Sequence, residues 1–305
     1  NSIKNIVGRQ AVLIFLVWSA MFGAGSAVSL IALTGAIFLA SVGSGIVDVL
    51  VNARVSEIEE DEAATLMSLN HALYSFAYAG GALVVSALRT LEVGTVLVSF
   101  GLFVICCALA VAGKDAPPSK ESAPPSQQLG QWRPLVLMVG VIVLIAFLAE
   151  SSTEGWSALH LERTLGGSSG EGALGPAILG LTMGVGRLSG HWLSRRFRET
   201  GLMLIAALIA SFGVAVAAFA PTVGVALLGF AIAGLGVSVV VPPASLRLTA
   251  SSRASVIGYA AFFFGPSLMG LVAEGFGLRM SFASIAVLLV LTALVLVPTL
   301  ARRTA

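Results

Sequence analysis

Few residues of this chain can do chemistry, and those that fall inside apolar runs recur at helical spacing. In "SVGSGIVDVLVNARV", Asp48 and Asn52 stand four residues apart, behind Ser41 and Ser44. Offsets of three and four place all of them on one helix face. A carboxylate there can carry a proton or hold a polar solute. In "LNHALYSFAYAGG", His71, Tyr74, Ser75 and Tyr78 form a polar and aromatic stripe. Such rings stack on the apolar face of a sugar while their hydroxyls bond to its ring substituents. In "AESSTEGWSALHL", Glu150, Glu154 and Ser157 share a third face. A carboxyl withdrawn from water holds its proton more tightly, which suits it to proton exchange. Tyr259 precedes "FFFGP", Phe262 to Pro266, where the proline predicts a helix break beside a cavity.

The elements that position these groups follow from composition. The chain has 305 residues, 57% of them hydrophobic and 10% charged, with a mean hydropathy of +0.98. Soluble domains carry roughly 25% charged residues, so this chain cannot present a soluble surface. Apolar stretches of about 20 residues recur, long enough to cross a hydrocarbon core. The reading is ten spans, near 10–27, 29–53, 69–88, 94–113, 134–157, 173–193, 202–220, 222–249, 255–274 and 280–300. They must be helices, because the runs do not alternate as barrel strands do and lipid satisfies no backbone group. A charge inside such a span costs at least about 2.5–3.5 kcal/mol, so it faces a cavity and marks a pathway.

Basic residues set the orientation. With both termini inside, Lys4, Arg9, Arg54, Arg187, Arg195, Arg196, Arg198, Arg247 and Arg253 join five others to make fourteen inner charges, against Arg89, Arg163 and Arg279 outside. That bias places both termini in the cytoplasm and Gly167 outside the cell. The net charge of +2 reflects these loops, and no basic stripe suited to nucleic acid is present. Arg187, Arg195 and Arg196 read as inner-loop charges for orientation and gating. "EIEEDE", Glu57 to Glu62, reads as a solvated inner turn. Cys106 and Cys107 are adjacent and supply neither a disulfide framework nor a metal-ligand set. "GEGALG", Gly170 to Gly175, has dinucleotide-loop spacing but follows no strand and falls in an outer loop. The pairs Gly180/Gly184 and Gly186/Gly190 read as helix-packing contacts. With no P-loop, HExxH or GxSxG motif, no enzyme and no cofactor is expected.

The only long Pro- and Ser-rich stretch lies within 114–133 and reads as a flexible cytoplasmic linker. It separates a bundle at 1–113 from a six-helix bundle at 134–305. "VGSGIVDVLVNAR" and "LGVSVVVPPASLR" each place an arginine, Arg54 or Arg247, eleven residues after a glycine, Gly43 or Gly236. The preceding basic loops also match, which suggests an internal repeat. Two spans precede that loop in the second half and none in the first, so two further helices are expected upstream.

Parallel halves of this kind resemble the major facilitator superfamily over essentially the whole chain. Gly45, Asp48 and Asn52, the His71–Tyr78 cluster, the acids before Trp156 and "GVGRLSGHWLSRRF" resemble its fucose-permease-like and related sugar-transporting branch. The resemblance implies a two-bundle transporter, four plus six helices of an expected six plus six. It also implies proton coupling at an acid matching Asp48. The expected function is proton-coupled symport of a small neutral solute such as a sugar, by a monomer in the cytoplasmic membrane. Asp48 and Glu150 would couple protons, while Asn52, His71, Tyr74, Tyr78, Glu154 and Tyr259 would face the solute. A proton-driven efflux antiporter, or a non-transporting sensor or scaffold on the same fold, stays open at this point.

Overall fold

The computed structural model describes residues 29–62, 66–112, 134–240 and 244–304, and among them every regular element is helical. In chain order these are α1 (Leu30–Glu62), α2 (Met67–Thr90), α3 (Thr95–Ala112) and α4 (Pro134–Leu159). Then follow α5 (Ser169–Arg196), α6 (Glu199–Ala218), α7 (Val223–Val240), α8 (Ala244–Leu291) and α9 (Val297–Thr304). Short π-helical turns, His160–Thr164 and Thr292–Leu296, extend α4 and α8. Among the described residues, six helical segments are long and apolar enough to cross a membrane: Leu30–Glu59, Met67–Thr90, Pro134–Thr164, Glu199–Ala218, Val223–Val240 and Ala260–Arg303. α3 and α5 are helices outside that set, and the expected span at 10–27 lies outside the described residues. The linker at 114–133 does too, as do the side chains of Arg195, Arg247 and Tyr259.

The chain forms two compact units. One holds α1 and α3; the other holds α2 from Ser68 onward together with everything from α4 to the end. In the first unit, α1 runs 33 residues, about 50 Å, well beyond a hydrocarbon core of about 30 Å. Glu57 to Glu62 are therefore its last turns, which corrects the expected loop. The helix continues because Arg54 pairs with Glu57 one turn on, at 2.8 Å. The Glu59 carboxylate then accepts from the Met67 N–H at 2.7 Å, satisfying a donor that opens α2.

The second unit is assembled through small residues. α6 and α7 make an antiparallel pair at backbone contact. A Cβ on Gly213 would sit 2.7 Å from the Gly229 carbonyl oxygen, and one on Gly229 would sit 2.5 Å from the Ala217 nitrogen. α4 and the first arm of α8 run parallel, Gly140 against Ile257, Gly265 against Leu148 and Gly270 against Trp156. Lipid tails are as apolar as leucine, so close dispersion contact between such surfaces, rather than water exclusion, holds these helices. Gly180 and Gly184 pack on α2 and Gly186 on α7, as the spacing predicts, whereas Gly190 faces open space.

The helix break expected at Pro266 is absent, whereas a reversal does fall between the spans read as 255–274 and 280–300. Pro266 does not interrupt α8, which stays helical on both sides of it. The reversal comes at Gly277, whose φ of 80° is left-handed and suits a residue without a Cβ. The Ser281 hydroxyl donates at 3.1 Å to the carbonyl of Met269, twelve residues earlier. A straight helix would hold those positions about 18 Å apart, so α8 folds back on itself between the two spans expected there.

Candidate functional site

Arg187 lies inside α5, not in a loop, and its side chain is mostly buried. This corrects its place among the inner-loop charges. One guanidinium nitrogen donates to the Glu150 carboxylate of α4 at 2.8 Å. The other donates to the His71 carbonyl of α2 at 3.2 Å, and closely to the Ser75 hydroxyl. Three helices thus meet on one guanidinium. Glu150 stands about midway between Pro134 and Thr164, about 24 Å from the first and about 21 Å from the second.

Local sequence explains how an arginine reaches this place. α2 and α5 cross antiparallel, with Tyr78 against Gly180 and Phe76 against Gly184. A Cβ at Gly184 would come within 2.6 Å of the Phe76 ring, and one at Gly180 within 2.8 Å of the Tyr78 ring. Without side chains at these two positions, α2 comes near enough for its first turns to accept from Arg187. A buried ion pair repays its desolvation only when geometry is good and the remaining donors are used. Here a hydroxyl and a backbone carbonyl use them, through the fixed fork of the guanidinium.

The predicted residues distribute unevenly around this centre. Glu150 is in it. Glu154, one turn on and half-buried, lies within electrostatic reach of Glu150 and Arg187. Tyr78, also half-buried, lies within reach of both carboxylates and of Tyr74. His71 contributes its carbonyl, and Tyr74 is exposed. Asp48, exposed, and Asn52, half-buried, lie on α1 in the other compact unit. Arg196 is exposed at the last residue of α5. Trp156, together with Arg163, Gly270 and Glu274, lines a cavity of about 410 Å³ near the reversal of α8.

Several polar residues outside this centre are partnered across helices. Arg89 pairs with Glu162 at 2.9 Å, and the Ser86 hydroxyl donates to the Gly170 carbonyl at 2.7 Å. His160 is fully buried, with Nε2 3.0 Å from the Ala217 carbonyl and its ring edge-on to Phe230 and Phe282. "GEGALG" opens α5 rather than a loop. Its glycines make room for Thr90, for the Glu162 carboxylate and for Ser157. The same glycine spacing was visible in the sequence, but the partners that fill the room come from distant helices.

Six apolar helical segments of membrane-spanning length among the described residues, with a charge pair buried midway along one of them, fit an integral membrane protein. The family model of the Major Facilitator Superfamily matches residues 5–259, and the chain belongs to that superfamily of secondary transporters. It is 28% identical over 271 residues to an uncharacterized MFS-type transporter of Yersinia pestis, covering 85% of this chain and 70% of that protein. An uncharacterized transporter of Sinorhizobium fredii is 28% identical over 314 residues, covering 96% of this chain and 80% of that protein. In fold, the chain is similar to the E. coli fucose:proton symporter, with a TM-score of 0.63 at 15% identity over 100% of this chain and 84% of that one. A bacterial homologue of the human lysosomal transporter Spinster gives a TM-score of 0.64 at 16% identity, over 99% of this chain and 84% of that one.

Proposed function

We propose that this protein is a proton-coupled symporter of a small neutral solute, such as a sugar, working by alternating access. The observation that carries this reading is the Glu150–Arg187 pair, which sits at mid-helix and is held from α2, α4 and α5. A proton arriving on Glu150 cancels its charge and frees Arg187 from α4, while Ser75 and His71 keep Arg187 on α2. Protonation thus loosens one helix from the other two, which is a way to couple a proton to a helix movement. Tyr78 and Glu154 beside the pair supply an aromatic face and hydrogen-bond acceptors for a hydroxyl-rich solute. Asp48 is assigned as a second proton-coupling acid, with Asn52 and Tyr259 facing the solute. The chain is read as a monomer of two bundles, 1–113 and 134–305, in the cytoplasmic membrane with both ends inside and Gly167 outside.

One observation favours the efflux antiporter as a rival. Glu150 and Glu154 place two carboxyl groups beside one arginine, so the centre also suits a cationic solute exchanged for a proton. Proteoliposomes loaded with a pH dye separate the readings. Under symport, adding solute outside acidifies the lumen; under antiport it makes the lumen alkaline. No solute-dependent pH change across a panel of sugars and organic cations would sink both.

A further inference from the structure

The end of α2 away from Met67 is fastened a second time, by residues that no part of the coupling reading uses. Arg89 in its last turn pairs with Glu162 at 2.9 Å, and both side chains are only partly exposed. The Ser86 hydroxyl donates to the Gly170 carbonyl at 2.7 Å. Two glycines make the fit possible. A Cβ on Gly172 would strike the Glu162 carboxylate and lie 2.6 Å from its Cγ. A Cβ on Gly170 would press on Thr90 and lie 3.2 Å from the Ser86 carbonyl oxygen. Glu162 itself stands in the five-residue π-helical turn, His160–Thr164. Wider turns of this kind re-aim side chains and are frequent at functional sites. Just beyond the turn, Gly166 has a φ of 72°, and the Gly167 N–H returns to the Leu161 carbonyl at 2.9 Å.

From Ser75 to Ser86 along α2 is about 16 Å. One helix is therefore pinned at two levels, by Arg187 in its early turns and by Arg89 and Ser86 at its end. The lower pin is the proposed coupling centre. The upper one lies at the end of α2 nearer residues 165–168. We propose that Arg89 and Glu162, seated on the Gly170–Gly172 floor, form a latch that closes this side of the pathway and must open in each transport cycle. The proposal rests on the alternating-access reading and adds the identity of one gate.

The test uses the full chain in liposomes with Cys106 and Cys107 replaced and a single reporter, Tyr78→Cys. A membrane-impermeant thiol reagent is added on the side that residues 165–168 face. Glu162→Gln or Arg89→Gln should raise the labelling rate roughly fivefold, the weight of a partly exposed ion pair. The charge swap, Arg89→Glu with Glu162→Arg, should bring the rate back toward the parent's. Unchanged labelling in both single variants overturns the latch, whatever solute is or is not transported.

A second arm, without the reporter, locks the latch instead. The Cβ built on Gly170 lies 3.4 Å from the Thr90 Cβ, at the short end of the disulfide range of about 3.5–4.5 Å. Thr90→Cys with Gly170→Cys should therefore cross-link under a copper oxidant, stop transport, and recover it in dithiothreitol. Full transport by the cross-linked protein overturns the proposal. A parent that moves no solute defeats the transport reading alone, since the labelling arm still decides the latch.

Discussion

α1 and α4 carry acids in similar settings, each on a face with serines in an apolar helix, and the fold treats them oppositely. On α1, Asp48 stands exposed with Ser41 and Ser44 in a unit formed with α3. On α4, Glu150 is buried against Arg187, and Ser151, Ser152 and Thr153 are buried around it. Spacing chooses the face of a helix. Whether a charge on that face is withdrawn from water depends on what other helices bring to it, because an ionised group leaves water only with a partner.

The sharpest way to break this contrast is Glu150→Ala, which strands Arg187 in a buried place. Loss of one partner of a buried pair costs about 3–5 kcal/mol, so the variant should lose that much in reversible unfolding by denaturant in detergent. Replacing both residues, Glu150→Met with Arg187→Met, should restore most of the stability while abolishing solute-driven proton movement. If Glu150→Ala unfolds like the parent, the pair is not what joins the three helices.

Ser75→Ala tests the same centre more gently. It removes one neutral acceptor from Arg187, which keeps Glu150 and the His71 carbonyl. Hydrogen bonds to charged groups are worth about 1.5–3 kcal/mol, and the bonds retained put the expected loss near the lower figure. A loss equal to that of Glu150→Ala would mean that α2, rather than the ion pair, organises the site.

Much of this was legible beforehand, and the missing part has a physical reason. The apolar runs are long, so the helices and the shared face of Glu150 and Glu154 could be read from local spacing. Gly180 and Gly184 announced a close contact. Their partner could not be read, because Tyr78 and Phe76 lie on α2, more than a hundred residues away in the chain. Arg187 reads as a loop charge because Arg195, Arg196 and Arg198 follow closely and basic residues collect at membrane edges. Nothing local distinguishes an arginine that reaches inward to a carboxylate from one that stays at the surface. Pro266 shows the same limit, because a proline within a run of packed neighbours stays helical. The reversal at Gly277 falls between the spans that end near 274 and begin near 280, where a left-handed φ is needed.

Asp48→Asn probes the other side of the contrast. Its side chain is exposed, so the substitution breaks no packing and opens no cavity, and the variant should unfold no more easily than the parent. If Asp48 couples protons, the variant should nevertheless fail to accumulate solute against a gradient while still binding it. Undiminished accumulation would remove Asp48 from the coupling scheme and leave Glu150 as its acid.

Glu171 completes the series as an acid that is fully exposed yet held in place, and its effect should be the smallest. The Ser168 N–H donates to its carboxylate at 2.7 Å, the Ser168 hydroxyl at 2.9 Å, and the Glu171 N–H returns to that hydroxyl at 3.3 Å. This reciprocal cap satisfies donors that open α5. The Ser168 N–H first, and its hydroxyl second, hold the Glu171 pKa below its ordinary value of 4.5. A group whose folded pKa is depressed stabilises the fold above its unfolded pKa and loses that contribution as pH falls through the folded one. The cap should therefore be fully formed at pH 7 and fade below about pH 4.5. Hydrogen exchange followed by mass spectrometry should show protection of the Ser168 and Glu171 amides that, once corrected for intrinsic exchange, falls across that acid window. In Glu171→Gln the fall should be absent and the protection at neutral pH lower. An acid-independent profile in the parent would mean that the helix start is held by packing on Thr90 and Ser86, and that Glu171 is as free of the fold as Asp48.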